Sequence, residues 1–396
     1  MGSLTQRGIY HDLLRFFILK GHNMYVVFPR ERRLGLNTET YEEEGAHVLG
    51  VKTLNLQKAS IIEKGIGQVL VESQFKNAIK RYWKNETFDL ILYSTPPITL
   101  MGTIMYLKKS NPSAKSYLLL KDIFPQNAVD IGLISKNGIK GILYKYFRNK
   151  EKKLYRVSDY IGCMSPANVN YLLDNNPDVK SSRVEVAPNS LELVTSVYEP
   201  GQQNAERYYI RKKYNLPTDK PIFIYGGNLG KPQGIPFLLE CLKVNSIRND
   251  CHFIVVGSGT ELPRLKAWKA ENPQTCVTVM EGLPKKDYDM LVKSCDVGLI
   301  FLDHRFTIPN FPSRFLSYLE NKMPVICATD PNTDMGAIAD ENGFGFWCES
   351  NSVEAFTVIL DKMIQSDRKS MGEKGYDYLK KNFLVENTYN AIMSHV

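Results

Sequence analysis

Residues 221–242, PIFIYGGNLGKPQGIPFLLECL, constrain the fold more tightly than any other stretch of the chain. Ile222, Phe223, Ile224 and Tyr225 form an apolar run with the length and the β-branched or aromatic content of a buried strand. The run passes straight into Gly226-Gly227-Asn228-Leu229-Gly230-Lys231, followed by Pro232 and Gly234. From there Ile235, Leu238, Leu239 and Leu242 recur at helical spacing. Strand, glycine turn and helix in that order let an α/β sheet bind an anion. The glycines bring backbone N–H groups close to a phosphate, and the helix N-terminus adds partial positive charge. Lys231 sets a full charge beside the loop. The same pattern also fits an ordinary glycine-rich turn between strand and helix.

The rest of the chain repeats that alternation. At 396 residues it is too long for one ordinary core, and two domains of about 150–200 residues are the natural division. Strands are expected over residues 24–28, 47–51, 88–93, 116–120, 159–164 and 183–187, with helices over 8–20, 61–83, 98–108 and 144–157 between them. Ser165-Pro166 opens a further helix, with serine as cap and proline at the first position. A second series has strands over 222–225, 252–256, 277–280, 297–302, 325–328 and 345–347. The expected fold class is α/β, with two doubly wound Rossmann-like domains facing across a cleft that would bind the ligand. The expected division is an N-terminal domain over 1–188, a linker over 189–203 and a C-terminal domain over 204–375. Residues 376–396 are expected to form a helix packing back toward the N-terminal domain.

Composition narrows the partners. Fifty basic against forty-two acidic residues leave a net charge of +8, which favours nucleotides, phosphorylated lipids or a membrane surface. The basic residues lack aromatics interleaved around a reading motif, so no nucleic acid is expected. Seven scattered cysteines without a C-x-x-C pair read as the reduced core cysteines of a cytosolic protein. No apolar run reaches the length of a membrane span, and MGSLTQRGIYHDLL lacks the apolar core of a signal peptide. The protein is expected to be cytoplasmic, at most lying on the inner face of the membrane. Residues 136–153 carry Lys136, Lys140, Lys145, Arg148, Lys150, Lys152 and Lys153 among apolar residues. They could lie on anionic lipid, each basic residue contributing roughly 1 kcal/mol, or form a solvated face over a packed one.

Other motifs bear on the ligand. Val256-Gly257-Ser258-Gly259 begins as G-x-G, but Leu262 replaces the third glycine or alanine of a dinucleotide fingerprint, so NAD is poorly supported. Pro312-Ser313 begins a helix whose first turn carries Arg314; its N–H groups, hydroxyl and guanidinium suit a diphosphate or a ribose, or simply cap a packing helix. Asp122 ends an apolar strand before Ile123-Phe124-Pro125-Gln126, so it should face the cleft, or else cap a turn. None of the six histidines has metal-ligand spacing. Asp287-Tyr288-Asp289 follows Pro284-Lys285-Lys286 at an expected helix start, where acids suit the dipole. No required metal is expected.

Taken in order, GGNLGK, VGSGTEL, EGLPKKDYDMLVKSCDVGLIFL, PNFPSRFLSYLENKMPV and NGFGFWCES resemble the nucleotide-binding half of the retaining GT-B glycosyltransferases of family 4. LLLKDIFPQNAVDIGLI and SDYIGCMSPANVNYLLDNNPDVKSSRVEVAPNS are similar to bacterial enzymes assembling capsule or O-antigen repeat units, in the branch containing N-acetyl-fucosamine transferases. The resemblance implies a UDP-sugar donor on the C-terminal domain and a polyprenyl-diphosphate-linked saccharide acceptor on the N-terminal one, with peripheral contact to an anionic membrane. It implies no cofactor.

The matched positions carry implied roles. Gly227, Asn228 and Gly230 match the loop that meets the diphosphate, and Lys231 the cation beside it. Gln233 stands where relatives have the lysine of a KG pair. Gly257 and Gly259 match the turn at the base, and Leu283 the backbone position contacting it. Ser313 and Arg314 match the serine–basic pair of the branch, within a donor segment that includes Asn310 and Pro312. The family's paired glutamates are replaced by Pro309 and Ser317, with Glu320 one turn beyond. Many relatives have, near the position of Asp122, a histidine that touches the donor sugar; the resemblance implies that the aspartate here binds a sugar hydroxyl or accepts the acceptor's proton. Asp122, Lys231 and Arg314 are the catalytic candidates. Relatives begin with a buried strand leading into a glycine-containing loop; Ser3-Leu4-Thr5-Gln6-Arg7-Gly8 resembles that loop without the strand. Either the numbered chain starts late or the first sheet lacks its first strand, and Gly8 is placed on the acceptor side. The implied activity is transfer of an N-acetylated hexosamine or deoxyhexosamine with retention. The competing readings are a UDP-sugar epimerase of the same architecture and a non-catalytic nucleotide-binding protein.

Overall fold

A computed structural model describes residues 4–56, 61–194 and 201–396. The chain divides into two compact units, Met1–Glu192 with Leu384–Val396, and Leu193–Phe383.

In the first unit, α1 (Ile9–Leu19) leads into β1 (Met24–Glu31), β2 (Glu39–Glu43) and β3 (Ala46–Thr53). β1 pairs in parallel with β3, Met24 opposite Ala46, and β2 pairs antiparallel with β3. β2, with the sequence ETYEE, has no apolar alternation to betray it; its charged residues are those of a protected sheet edge. The unit continues with α2 (Ile61–Tyr82), β4 (Leu90–Ser94), α3 (Met101–Ser110), β5 (Lys115–Leu120), α4 (Gln126–Asp130), α5 (Gly138–Val157), β6 (Tyr160–Cys163), α6 (Pro166–Asn175) and β7 (Val184–Val186). β4 to β7 form a parallel sheet in chain order. As the sequence suggests, Ser165 caps α6, its side chain accepting from the Asn168 N–H.

The single first sheet expected from the alternation is instead two sheets, ordered β1-β3-β2 and β4-β5-β6-β7. No described strand pairs with both β1 and β4, so each keeps an open edge. What ties the two sheets together is side-chain packing rather than a hydrogen-bond ladder. Leu13 and Phe17 of α1 share a cluster with Met24 of β1 and Leu90 and Leu92 of β4.

The second unit holds α7 (Gln202–Lys213), β8 (Ile222–Asn228), α8 (Ile235–Asn245), β9 (His252–Ser258), α9 (Leu262–Glu271), β10 (Val277–Glu281), α10 (Lys285–Lys293), β11 (Val297–Phe301), α11 (Arg314–Glu320), β12 (Val325–Thr329), α12 (Met335–Glu341), β13 (Gly345–Glu349), α13 (Val353–Gln365) and α14 (Arg368–Asn382). Its strands form one parallel sheet in the order β10-β9-β8-β11-β12-β13. The order reverses at β8, which is where an open α/β sheet places its ligand crevice. β8 and β11 are buried along their apolar length, as central strands covered on both faces require.

Two expected boundaries move. Asn189 and Ser190, assigned to a linker over 189–203, are buried within the first unit; residues 195–200 lie outside the described residues. The expected helix over 376–396 is two helices. α14 ends in the second unit, where Phe383 packs beside Phe311 and Phe315. α15 (Val385–Met393) belongs to the first unit, where Tyr389 meets Phe16 and Phe17 of α1 edge-to-face and its hydroxyl meets His22 Nε2 at 2.8 Å.

Candidate functional site

The second unit's site forms where β8 ends. Gly227 has φ +118, a conformation that L side chains rarely adopt, so the turn requires glycine there. Gly257 lies opposite Gly227 across the β8–β9 ladder, and a Cβ on it would strike the Gly227 carbonyl. A Cβ on Gly259 would likewise strike the backbone of Leu229. These two glycines, expected at the base of a nucleotide, let β9 approach closely enough to shape the loop. Leu283 is half-buried after β10, next to Gly282, which stands beside Gly257 and Ser258. Asn228 donates to Gln233 Oε1 at 2.9 Å, so Gln233 braces the loop from within. Gly230 is buried. Lys231 is exposed, and its ammonium makes no hydrogen bond or ion pair among the described residues, a free cation on the loop.

Arg314 projects from α11 toward that turn. Its guanidinium lies 4.5 Å from the Tyr225 ring centre, and Nη2 is 3.7 Å from the place a Gly227 Cβ would occupy. Nη1 is buried without a hydrogen-bond partner, and no carboxylate pairs with the group among the described residues. Burial works against its charge, and the neighbouring tyrosines Tyr225, Tyr318 and Tyr288 work in its favour. Three tyrosines thus wall the site, none of them singled out by the sequence. The Tyr225 hydroxyl donates to the Asn228 carbonyl at 3.0 Å, fixing the loop. Tyr318 accepts from the Gly226 N–H at 3.3 Å and donates to the Ile224 carbonyl at 3.1 Å. Tyr288 packs over Gly226, and burial pushes its phenol up to about 12. The only available signals were a tyrosine closing the apolar run of β8 and another four residues after Arg314.

The donor segment departs in part from expectation. α11 has seven residues, and Ser313, exposed at its start, makes no capping bond. The amides of Phe315 and Leu316 already donate to Pro312 and Ser313 carbonyls. The turn therefore offers fewer open N–H groups than a long helix start, and its side chains carry the recognition. Pro312 and Ser317 are half-buried. The segment is held by Asp330 at the end of β12: its carboxylate accepts from Thr333 Oγ1, which in turn accepts from the Asn310 N–H at 3.0 Å. Burial lifts Asp330 to about 6. Glu320 takes the Val194 N–H at 3.5 Å.

Asp122 and Gly8 lie in the first unit. The Asp122 side chain follows β5, where Thr95 Oγ1 donates to its carbonyl and Asn127 donates to its carboxylate at 2.7 Å. Burial raises the carboxyl to about 6 against the lowering effect of Ile123 N–H and Asn127. Two neighbours were missed in the sequence. Tyr10 of α1 stands against Ser94 and Asp122, its phenol raised by burial. Lys121 donates to the Ala187 carbonyl at 2.9 Å, and burial drives its ammonium down to about 7. Gly8 is the cap of α1 rather than an open amide: its N–H donates to Asp12 Oδ1 at 3.0 Å, and the Asp12 N–H returns to the Gly8 carbonyl. Asp287 pairs with Lys213 and Asp289 with Lys285; no group of three or more metal-ligating side chains occurs among the described residues.

Residues 206–378 match the family of glycosyl transferases group 1. The match falls within the second unit. Over longer spans, the chain is similar to "Probable glycosyltransferase WbjE" of Pseudomonas aeruginosa, 23% identical over 329 residues, covering 82% of this chain and 78% of that protein. It is also similar to "Putative colanic acid biosynthesis glycosyl transferase WcaI" of Escherichia coli K12, 23% identical over 410 residues, covering 100% and 97%. A solved structure titled trehalose-6-phosphate from E. coli, bound with UDP-2-fluoro glucose, superposes with a TM-score of 0.70 at 11% identity, covering 100% of this chain and 97% of that one. The fold is that of the GT-B glycosyltransferases, and Arg314 lies within the residues that match the family.

Proposed function

We propose that the chain moves a sugar from a UDP-sugar to a saccharide carried on a polyprenyl diphosphate, with retention at the anomeric carbon, in capsular or O-antigen polysaccharide assembly. An N-acetylated hexosamine or deoxyhexosamine is the donor sugar of this reading. One observation carries it: a buried guanidinium without a counter-ion, set against a glycine turn at the sheet's switch point. An unpaired buried cation is costly, and a diphosphate is the anion that a glycine turn and a planar guanidinium suit together. The group 1 match, relatives named for glycosyl transfer and colanic acid biosynthesis, and a UDP-sugar-bound structure of the same fold support the reading.

In this reaction the bond from the anomeric carbon to the UDP oxygen breaks, and its electron pair leaves with UDP. The acceptor oxygen bonds to the same face of that carbon, and its proton passes to the departing phosphate. Charge grows on the leaving phosphate, so fixed cations act more strongly on the transition state than on the ground state. Arg314 and the loop amides supply that stabilisation, Lys231 adds to it, and Asp122 binds a sugar hydroxyl. With these charges in place no metal is required in this reading.

Thermal stabilisation by UDP, GDP, ADP and their sugars tests it, since a ligand bound only by the folded state must stabilise it. UDP and a UDP-sugar should raise Tm, with and without EDTA, and Arg314→Met should abolish the shift. No shift with any nucleotide overturns the donor site. Turnover of the UDP-sugar without acceptor means an epimerase, and binding without transfer to any lipid-linked saccharide means a non-catalytic binder.

A further inference from the structure

Within the first unit, a polar cavity of about 50 Å³ lies among α4, α5 and α6, and the donor site makes no use of it. Its floor is already paired. Glu151, 3% exposed, accepts from Arg148 Nη1 at 2.5 Å and from the Tyr155 hydroxyl at 2.6 Å. Arg148 Nη2 donates to the Asn175 carbonyl at 2.8 Å and to Asn176 Oδ1 at 2.7 Å. A satisfied network of this kind is rigid, so the cavity keeps its shape before anything enters it.

Its walls are not paired. Tyr144 of α5 and Tyr171 of α6 both line the cavity, and neither hydroxyl makes a hydrogen bond among the described residues. Burial raises both phenols, so each stays a neutral hydroxyl. Asn175 spends its Nδ2 on the Tyr171 carbonyl at 2.9 Å, which leaves its Oδ1 as an acceptor at the rim. The Lys136 ammonium lies over the Tyr144 ring at 5.6 Å and has no ion pair among the described residues.

Charge narrows the occupant. The carboxylate of Glu151 in the floor, with Asp130 acting on both tyrosines, opposes an anion, while Arg148 and Lys136 oppose a cation. An apolar group would leave the two phenol hydroxyls with neither water nor partner. What fits is a neutral group that both donates and accepts, as adjacent sugar hydroxyls do. Size agrees, since a water needs about 10–15 Å³ and 50 Å³ takes a few waters or the hydroxyl-bearing edge of one ring. We infer that this cavity is a saccharide subsite that takes the diol edge of one neutral sugar ring. Ile123 and Gln126, which line it, closely follow Asp122 in the chain, and the charge of Asp122 is felt at Glu151. Its role, holding a sugar of the acceptor beside Asp122, rests on the proposed function, but its test needs neither donor nor transfer.

The test is a saturation-transfer NMR titration of the full chain with the methyl glycosides of glucose, galactose, mannose and N-acetylglucosamine. At least one of these probes should bind, and added salt should leave the binding unchanged because the probe is uncharged. Tyr144→Phe and Tyr171→Phe should each weaken it by up to about tenfold. Both variants should keep the wild-type Tm, since the hydroxyls removed have no partner in the free protein. The inference is overturned if none of the four probes binds, if both tyrosine variants bind as wild type does, or if inorganic phosphate displaces the probe and so marks an anion site. The UDP-induced Tm shift of the same preparation keeps the two readings apart. Glycoside binding without a UDP shift defeats the donor site alone, and a UDP shift without glycoside binding defeats the subsite alone.

Discussion

The Arg314 guanidinium lies 4.5 Å from the centre of the Tyr225 ring, and among the described residues no carboxylate answers its charge. A cation over an aromatic face gains about 0.5–2 kcal/mol, whereas an ion taken out of water costs several. Tyr225, Tyr318 and Tyr288 favour the charge without neutralising it, and an incoming anion would pair with it. The cost of assembling the site falls on folding, and binding recovers it.

Arg314→Met should accordingly separate stability from function. Removing a buried, unpaired charge leaves the Tm of the free protein unchanged or raises it. Loss of a fixed donor to the leaving phosphate should lower kcat/KM by about 10²–10³. Melting curves and transfer rates on the same preparation check both halves. A variant that melts lower and still transfers at the wild-type rate would show a structural arginine.

Asp122 predicts a pH dependence. Its carboxyl is raised from 3.8 to about 6 by burial. Between those values the folded chain holds a proton that the unfolded chain has lost. Its contribution to stability is thus complete below the unfolded value and lost as pH rises through about 6. Activity runs the other way if the carboxylate binds a sugar hydroxyl: kcat/KM should rise through about pH 6, and Asp122→Asn should flatten that limb. A limb unchanged in Asp122→Asn would assign the titration to another group.

The second unit was legible because its signals are local. β8, its turn and α8 are written as one contiguous stretch, and Arg314 precedes a short apolar segment. The tyrosine wall was not legible. Tyr225, Tyr288 and Tyr318 come from three separate elements, and an apolar run reads tyrosine as core. The first unit was harder for a different reason. Its strands announce themselves by composition, but whether β1 and β4 share a ladder depends on pairing, which apolar patterning does not encode. Gly8 shows the limit of reading by position: the glycine is where a loop was expected, while Asp12, four residues on, occupies its N–H.

Lys121 predicts a stability slope of the opposite kind. Its ammonium is lowered from 10.5 to about 7 by burial. Its contribution to stability is complete above the unfolded value and is lost as pH falls through about 7, where the folded state must take up a buried charge. Lys121→Met loses the bond to the Ala187 carbonyl, about 1 kcal/mol, at every pH. Relative to wild type, the variant should gain in Tm on going from about pH 9 to about pH 6. Parallel Tm–pH curves for the two proteins would show that Lys121 keeps an ordinary pKa.

Tyr318 ties the strand to the site, and its hydroxyl can be removed without disturbing the ring. That hydroxyl accepts from the Gly226 N–H and donates to the Ile224 carbonyl, both buried, and the ring packs over Gly298 of β11. Tyr318→Phe keeps the packing and strands one buried donor and one buried acceptor, a cost of about 1–3 kcal/mol. Tm should fall, and affinity for UDP should fall with it, because Gly226 and Gly227 end the strand that Tyr318 holds. Denaturant unfolding and UDP titration of the variant measure the two effects. If stability drops and UDP affinity does not, the hydroxyl serves the sheet alone, and the geometry of the glycine turn is set by Gly257 and Gly259 from the β9 side.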